Sequence, residues 1–233
     1  MKNVAVIGAG ITGITLANLL QKKFNLTVFE KSRGVGGRMA TRRAEPYQFN
    51  HGAQYFKIEN KEFKDFLQPL ILNKIIKPLE ANQIEILNKE VIKRTKIYNK
   101  QYFTAESKMN SVVKYLMNNN FSIKLLCKIE KIIKENNKWF VIDSGQVSFG
   151  PYDWLIITIP PNQAKEILYN NFKFLDIIKK IKMRSCYSLM LGFDKFEEFD
   201  FDTALFLDED IQWLSIRKII LENKEYYNLL INS

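Results

Sequence analysis

Cysteine is nearly absent. Cys127 and Cys186 are the only two in 233 residues, they stand far apart, and neither belongs to a CxxC. That excludes a disulfide framework and a zinc ligand set, and no metal is expected. Both thiols sit among apolar residues, so both are expected to be buried and free, in keeping with a reducing compartment. Histidine is scarcer still, with His51 alone. No apolar run is long enough to cross a bilayer, so no membrane partner is expected. The start, Met1-Lys2-Asn3, leads directly into a strand-like run, so no signal peptide is expected and the protein reads as cytoplasmic. Repeats and low-complexity tracts are also missing. Acidic residues are outnumbered, 25 Asp and Glu against 35 Lys and Arg, for a formal charge of +10. Such a field favours anionic partners. The lysines are dispersed, however, and no helix-turn-helix, RNP-type or zinc pattern accompanies them. A small-molecule partner is therefore expected and nucleic acid is not. Oligomeric state is left open.

Glycine is sparing too, yet six of the ten fall between positions 8 and 37. The run Val4-Ala5-Val6-Ile7 is short, apolar and β-branched, as in a strand buried on both faces of a parallel sheet. Gly8-Ala9-Gly10-Ile11-Thr12-Gly13 follows, and Ile14, Leu16, Ala17, Leu19 and Leu20 then recur at helical spacing. A second strand, Leu26-Thr27-Val28-Phe29, ends in Glu30. In this GxGxxG pattern Gly8 serves the turn, Gly10 admits a pyrophosphate to the backbone, and Gly13 lets helix and strand approach. The first helical turn, with Ile11 and Thr12, offers free N–H groups to phosphate. Glu30, followed by Lys31, stands where a carboxylate accepts from ribose hydroxyls. Strand, glycine loop, helix, strand and acid together point to a dinucleotide-binding βαβ unit.

A second glycine loop, Ser32-Arg33-Gly34-Val35-Gly36-Gly37-Arg38-Met39-Ala40-Thr41, follows the acid. It resembles the continuation found in FAD-binding domains of the glutathione-reductase type, in the amine-oxidase-like branch. The resemblance implies FAD, with Gly36, Gly37, Arg38 and Met39 around its pyrophosphate. RMATRR followed by HGAQYF narrows the likeness to the renalase-like flavoproteins, which oxidise aberrant dihydronicotinamide dinucleotides. The sequence departs from that pattern at Asn50, where Asp is usual, and at Lys57, where Thr is usual. The resemblance further implies that Gly52 and Ala53 admit the flavin ring, that Gln54 and Tyr55 face the ring or the substrate, and that Ile129 meets adenine through its backbone. It also brings Thr158 near the flavin. His51, Gln54 and Tyr55 are the candidate catalytic residues, and a structural histidine is the competing reading of His51. Trp213 is read either as cavity wall or as core.

The rest of the chain alternates between the two kinds of element. Lys61–Leu72 has a helical apolar face, and short strands follow around 75–76, 84–87, 91–92 and 98–103. Residues 109–117 read as a helix with Ser107 as its cap. Strands are expected over 121–126 and 128–134, the latter in a hairpin with 139–142, and a buried parallel strand over 154–159. Helices are expected over 163–168 and 172–181, and strands over 185–194, 204–207, 213–216 and the last residues. The fold class is therefore α/β: a Rossmann-like FAD-binding domain over 1–58 and 107–165, and a sheet-based substrate domain over 59–106 and 166–233. The resemblance also implies a further strand, a Gly-Asp element and a closing helix, none of which the sequence matches. The chain thus reads as C-terminally truncated relative to the family and is expected to retain FAD weakly. Three functions stay open: a renalase-like oxidase of a reduced nicotinamide-type dinucleotide, an amine oxidase-like flavoenzyme, and a non-catalytic FAD-binding remnant.

Overall fold

The computed structural model describes residues 1–98, 101–117, 121–168 and 172–233. The chain forms two compact units, each assembled from two segments: Met1–Arg38 with Val113–Arg184, and Met39–Val112 with Ser185–Ser233.

The first unit begins with strand β1 (Lys2–Ile7), helix α1 (Ile11–Leu20) and strand β2 (Phe24–Phe29). β1 and β2 pair in parallel, the Ser122–Lys124 strand joins beyond β2, and the Trp154–Ile157 strand joins beyond β1, all parallel. The unbroken apolar runs explain this. Val4 to Ile7, Val28 and Phe29 are all buried, so both faces of the central strands are covered. The Trp154–Ile157 strand, expected to be buried, is instead the edge of this sheet. It pairs on one side only, and Trp154 is 57% exposed. The strand expected over 121–126 shrinks to Ser122–Lys124, because the chain turns at Leu126, which holds φ +55°.

A three-stranded antiparallel meander, Ile129–Glu135, Lys138–Asp143 and Ser148–Tyr152, completes the unit's sheets. Asn136 and Asn137 link the first two strands with φ of +48° and +59°, a left-handed pair that asparagine tolerates and that matches the strand twist. Its inner face packs Ile129, Ile132, Val141 and Tyr152 with Ala5, Ile7, Phe29, Cys127 and Ile167. Each fully buried side chain of this size contributes roughly 1.5–3 kcal/mol. Ile167 comes from the Pro161–Ile167 helix, which explains why residues 166–184, expected in the substrate domain, fold with this unit. The helix expected over 172–181 is confined to Leu175–Lys180.

The second unit is built on a six-stranded sheet in the order Ser188–Phe193, Lys224–Asn232, Trp213–Leu221, Thr203–Phe206, Ala81–Leu87, Glu90–Ile97. All pairs are antiparallel except Thr203–Phe206 with Ala81–Leu87. A smaller sheet joins Phe56–Lys57, Tyr102–Ala105 and Ile76–Pro78. The strand expected from Tyr98 therefore begins at Tyr102, and part of that expectation, residues 99–100, lies outside the described residues. The Lys61–Leu72 helix forms as expected, with Asn60 Oδ1 accepting from the Phe63 N–H at 2.8 Å and Leu67 and Leu70 buried.

Residues 39–58 and 107–112, expected with the first unit, belong to the second. Their strands Arg42–Ala44 and Tyr47–Phe49 form a hairpin held to the large sheet. Asn228 Nδ2 donates to the Gln48 carbonyl at 2.6 Å, and the Tyr47 ring fills the space beside Gly192, where a Cβ would stand 2.5 Å away. The Asn110–Leu116 helix starts three residues after Ser107, so that serine is not its cap. Asn50 and Thr41 supply the acceptors instead. The Met109 N–H donates to Asn50 Oδ1 at 3.0 Å and the Asn110 N–H to Thr41 Oγ1 at 3.4 Å, while the Thr41 hydroxyl donates to Asn50 Oδ1 at 2.8 Å. Cys127 is buried as expected, but Cys186 is exposed, because it lies in the extended segment before the Ser188–Phe193 strand.

Candidate cofactor cradle and a cavity in the second unit

The glycine turn after β1 is held from three sides. Gly8 sits at φ +105°, and a Cβ there would meet Ile159 Cγ2 and Thr158 Oγ1 at 2.9 Å. Its N–H donates to the Phe29 carbonyl at 2.8 Å, which turns the chain off β1 toward the end of β2. Gly13 lies over the turn so closely that a Cβ would stand 2.0 Å from the Gly8 carbonyl oxygen. Gly10 is the opposite case: a Cβ there meets nothing within 4 Å. Open space thus faces the residue that begins α1, and no side chain caps that helix. The N–H groups of Ile11, Thr12 and Gly13 have no partner within the helix by geometry, and the helix dipole adds positive potential.

The second glycine loop lies directly against the first. Gly36, at φ +132°, donates its N–H to the Ala9 carbonyl at 3.0 Å and bridges Gly10. A Cβ on Gly37, at φ +53°, would stand 3.2 Å from the Gly10 Cα. Arg38 and Lys31 are exposed beside this crossing. Two side-chain-free residues meet at this crossing, which suits an extended anionic group such as a pyrophosphate. The residues present therefore fit the pyrophosphate of a dinucleotide cofactor.

Glu30 is buried, with only 7% exposed, at the end of β2. Its Oε2 accepts from the Ala9 N–H at 2.9 Å and its Oε1 from the Ser32 N–H at 2.8 Å. The carboxylate ties both glycine loops together, and each oxygen retains a second lone pair for a hydroxyl donor. Thr158 lies beneath the turn rather than across its opening. Its hydroxyl is shared between the Ile7 and Gly8 carbonyls, at 3.0 Å each. Ile129 keeps its side chain in the core, as expected. Its segment runs past Glu30, since the Cys127 N–H donates to the Glu30 carbonyl at 2.9 Å. Burial, helped by the Asp143 carboxylate, pushes the Cys127 thiol up to about 11.

The remaining candidates lie in the second unit. Met39 follows Arg38 there, and His51, Gly52, Ala53, Gln54 and Tyr55 connect the Tyr47–Phe49 and Phe56–Lys57 strands. Gln54 and Tyr55 line a cavity of about 310 Å³, with Trp213 as a further wall. His51, Gly52 and Ala53 are not part of that lining. The Gln54 carbonyl accepts from Thr104 Oγ1 at 2.8 Å and its side-chain Oε1 from Ser215 Oγ at 2.5 Å. The Tyr55 ring stands 5.9 Å from Tyr102 and 5.8 Å from Trp213, and burial raises its phenol above the ordinary tyrosine value. His51 is fixed through its carbonyl, which accepts from Ser188 Oγ at 3.2 Å, and its Nδ1 is buried with no partner among the described residues. Trp213 lines this cavity while its indole N–H is buried, so its ring is both wall and packing. Ser215 and Arg217 follow it at the strand period of two and escaped the sequence reading. Among the described residues, no group of three or more His, Cys, Asp or Glu could hold a metal ion. No helix among them is long and apolar enough to cross a membrane.

Comparison with known proteins agrees with this geometry. Residues 6–70 match the family of NAD(P)-binding Rossmann-like domains. Over 212 residues the chain is 28% identical to renalase from Mus musculus, covering 83% of this chain and 59% of that protein. The chain is similar to renalase. The resemblance drawn from RMATRR and HGAQYF is thus borne out, and this chain spans less than two thirds of the relative's length. Prenylcysteine oxidase 1 of Bos taurus is 37% identical over 81 residues, 33% of this chain and 16% of its own. Among solved structures, a putrescine oxidase variant superposes with a TM-score of 0.72 at 12% identity, covering 99% of this chain and 75% of its own. An oxidoreductase from Methanosarcina mazei superposes at 0.72 with 11% identity, covering 99% and 78%. At such identities these two structures speak to the fold alone, a mixed α/β architecture with a Rossmann-like unit and a second, sheet-based unit.

Proposed function

We propose that this chain is an FAD-dependent oxidoreductase of the renalase-like kind, oxidising a reduced nicotinamide-type dinucleotide. The observation that carries the reading is the crossing of the two glycine loops, with Gly37 against Gly10 and open space before the start of α1. The similarity to renalase over 83% of the chain supports it. The chemistry that bound FAD would supply is acceptance of a hydride from the substrate, with dioxygen as the terminal oxidant.

The chain's own residues bind and orient. The Ile11, Thr12 and Gly13 N–H groups hold the pyrophosphate, with Arg38 adding charge, and Glu30 accepts the ribose hydroxyls on its remaining lone pairs. Gln54 and Tyr55, which line the cavity of the second unit, are the candidates for positioning the substrate. A dihydropyridine gives up a hydride without losing a proton from carbon, so no acid–base pair is required of the protein.

The test is the visible spectrum of the purified chain after reconstitution with FAD, followed anaerobically on adding reduced nicotinamide isomers and then on admitting air. Bleaching followed by recovery of colour is expected. Failure to retain flavin supports the non-catalytic reading. Flavin that bleaches with an amine and not with any nicotinamide isomer supports the amine oxidase reading.

A further inference from the structure

The cavity of the second unit holds polar groups that neither the packing nor the redox reading uses. Thr203 Oγ1, Trp213 Nε1 and Asn228 Oδ1 are all fully buried with no hydrogen-bond partner among the described residues. Thr203 and Asn228 are themselves only 9% and 4% exposed, and all three residues line the cavity. Asn228 is oriented by its own amide, which donates to the Gln48 carbonyl at 2.6 Å, so the oxygen left over is an acceptor. Two donors and one acceptor therefore stand unpaired on side chains that line a space of about 310 Å³, the low end of the range for small-molecule sites.

Charge makes the choice of ligand narrower. Three cationic residues line the cavity. Lys77 pairs with Glu106 at 3.1 Å and Lys218 with Glu225 at 2.6 Å. Arg217 makes no ion pair among the described residues; its Nη2 donates to the Glu106 carbonyl at 3.1 Å, and the Glu106 carboxylate, itself paired with Lys77, favours its charge. The carboxylates in the lining, Glu80 and Asp202, are exposed, and Asp202 accepts from the Asn82 N–H at 2.7 Å. Burial lowers the Arg217 guanidinium below the ordinary arginine value, so the charged fork is stripped of part of its water. A planar carboxylate is the group that matches such a fork. The Tyr55 and Trp213 rings, 5.8 Å apart at 47°, give the cavity an aromatic wall.

We propose that this cavity binds a small aromatic carboxylate bearing an N–H donor. The carboxylate meets Arg217, with the Trp213 indole N–H and the Thr203 hydroxyl as further donors. The ring lies against Tyr55 and Trp213, and the ligand's N–H meets Asn228 Oδ1. The ligand shares its cavity with Gln54 and Tyr55, the residues that the flavin reading gives to the substrate, but its binding requires no flavin and goes beyond that reading.

Titration calorimetry on the purified full chain without flavin tests it, with 3-aminobenzoate, benzoate, benzamide and inorganic phosphate as probes. 3-Aminobenzoate is expected to saturate one site and to bind about tenfold or more tighter than the neutral benzamide. Benzoate, lacking the N–H donor, falls between them. Arg217→Gln is expected to remove the preference for acid over amide while leaving benzamide affinity unchanged. Arg217→Lys, which keeps the charge and loses the fork, retains part of that preference. Asn228→Leu removes the advantage of 3-aminobenzoate over benzoate and, since it also breaks the bond to the Gln48 carbonyl, lowers stability. Circular dichroism establishes that each variant is folded. The proposal is overturned if neither acid binds saturably to the folded chain, if acid and amide bind alike, if phosphate competes as well as the aromatic acids, or if folded Arg217→Gln behaves as wild type. Flavin bleaching is a separate readout, so either proposal can fail alone.

Discussion

The Ala9 N–H donates to Glu30 Oε2 at 2.9 Å across 21 positions of sequence, inside a buried site. One carboxylate thereby anchors the first glycine loop, while its other oxygen takes the Ser32 N–H of the second loop at 2.8 Å. The acid expected to read a ribose also sets the spacing of the two glycine loops.

Glu30→Ala should therefore weaken the fold as well as the cofactor site. It leaves two backbone donors without an acceptor, at a cost of about 1–3 kcal/mol for each donor that stays buried. Urea denaturation of the flavin-free chain is expected to show the loss. An unchanged midpoint and slope would mean that Glu30 does not brace the loops.

Gly10 and Gly13 should part company when changed to alanine. At Gly13 a methyl meets the Gly8 carbonyl at 2.0 Å, so α1 must shift and stability falls by about 1–3 kcal/mol. At Gly10 the φ of −74° suits any residue and nothing lies within 4 Å, so the flavin-free chain should be as stable as wild type. The methyl nevertheless occupies the approach to the helix start, so Gly10→Ala is expected to lose FAD. Paired melting curves and FAD titrations check both.

The two thiols should react very differently. Exposed Cys186 is expected to be titrated by a thiol reagent in the native protein at pH 8, and Cys127 only after unfolding. The sign of the linked pH effect follows. Cys127 has an ordinary value of 9.0 and is held up to about 11 in the fold, so the unfolded chain releases that proton first as pH rises. The thiol's contribution to stability is present below pH 9 and is lost between about 9 and 11. A Cys127→Ala variant tests this through its shallower decline of stability over that window.

Asn50 should be replaceable by aspartate and not by alanine. Its Oδ1 serves the Thr41 hydroxyl and the Met109 N–H, at 2.8 and 3.0 Å. Asn50→Ala removes both at once, for roughly 0.5–2 kcal/mol, the range for loss of a helix-start acceptor. Asn50→Asp preserves the acceptor and is expected to stay within about 0.5 kcal/mol of wild type. Urea midpoints decide between the two.

The first βαβ unit was legible because its signals are local. The β-branched run, the three glycines and the acid all lie within 30 residues, and each residue's task depends on its near neighbours. The helix over Lys61–Leu72 was legible for the same reason, through its apolar period. Ser107 misled because a good cap residue in sequence competes with acceptors that the fold brings from elsewhere. Thr41 and Asn50 reach the helix start from about 60 to 70 residues away, a distance that no periodicity records. The Trp154–Ile157 strand misled because a sequence shows apolarity and not the number of strands beside it.

Local sequence by itself determined the strand–glycine–helix unit and the second glycine loop. These follow from backbone freedom and hydrophobic period, which each residue carries wherever the chain goes. Only the tertiary structure decided that Gly10 faces Gly37, that Thr158 lies under the turn, and that Arg217, Trp213 and Asn228 share one cavity. Those relationships depend on strand order and register across long loops. They come from burying the faces of whole sheets, a cooperative outcome that no short stretch encodes alone.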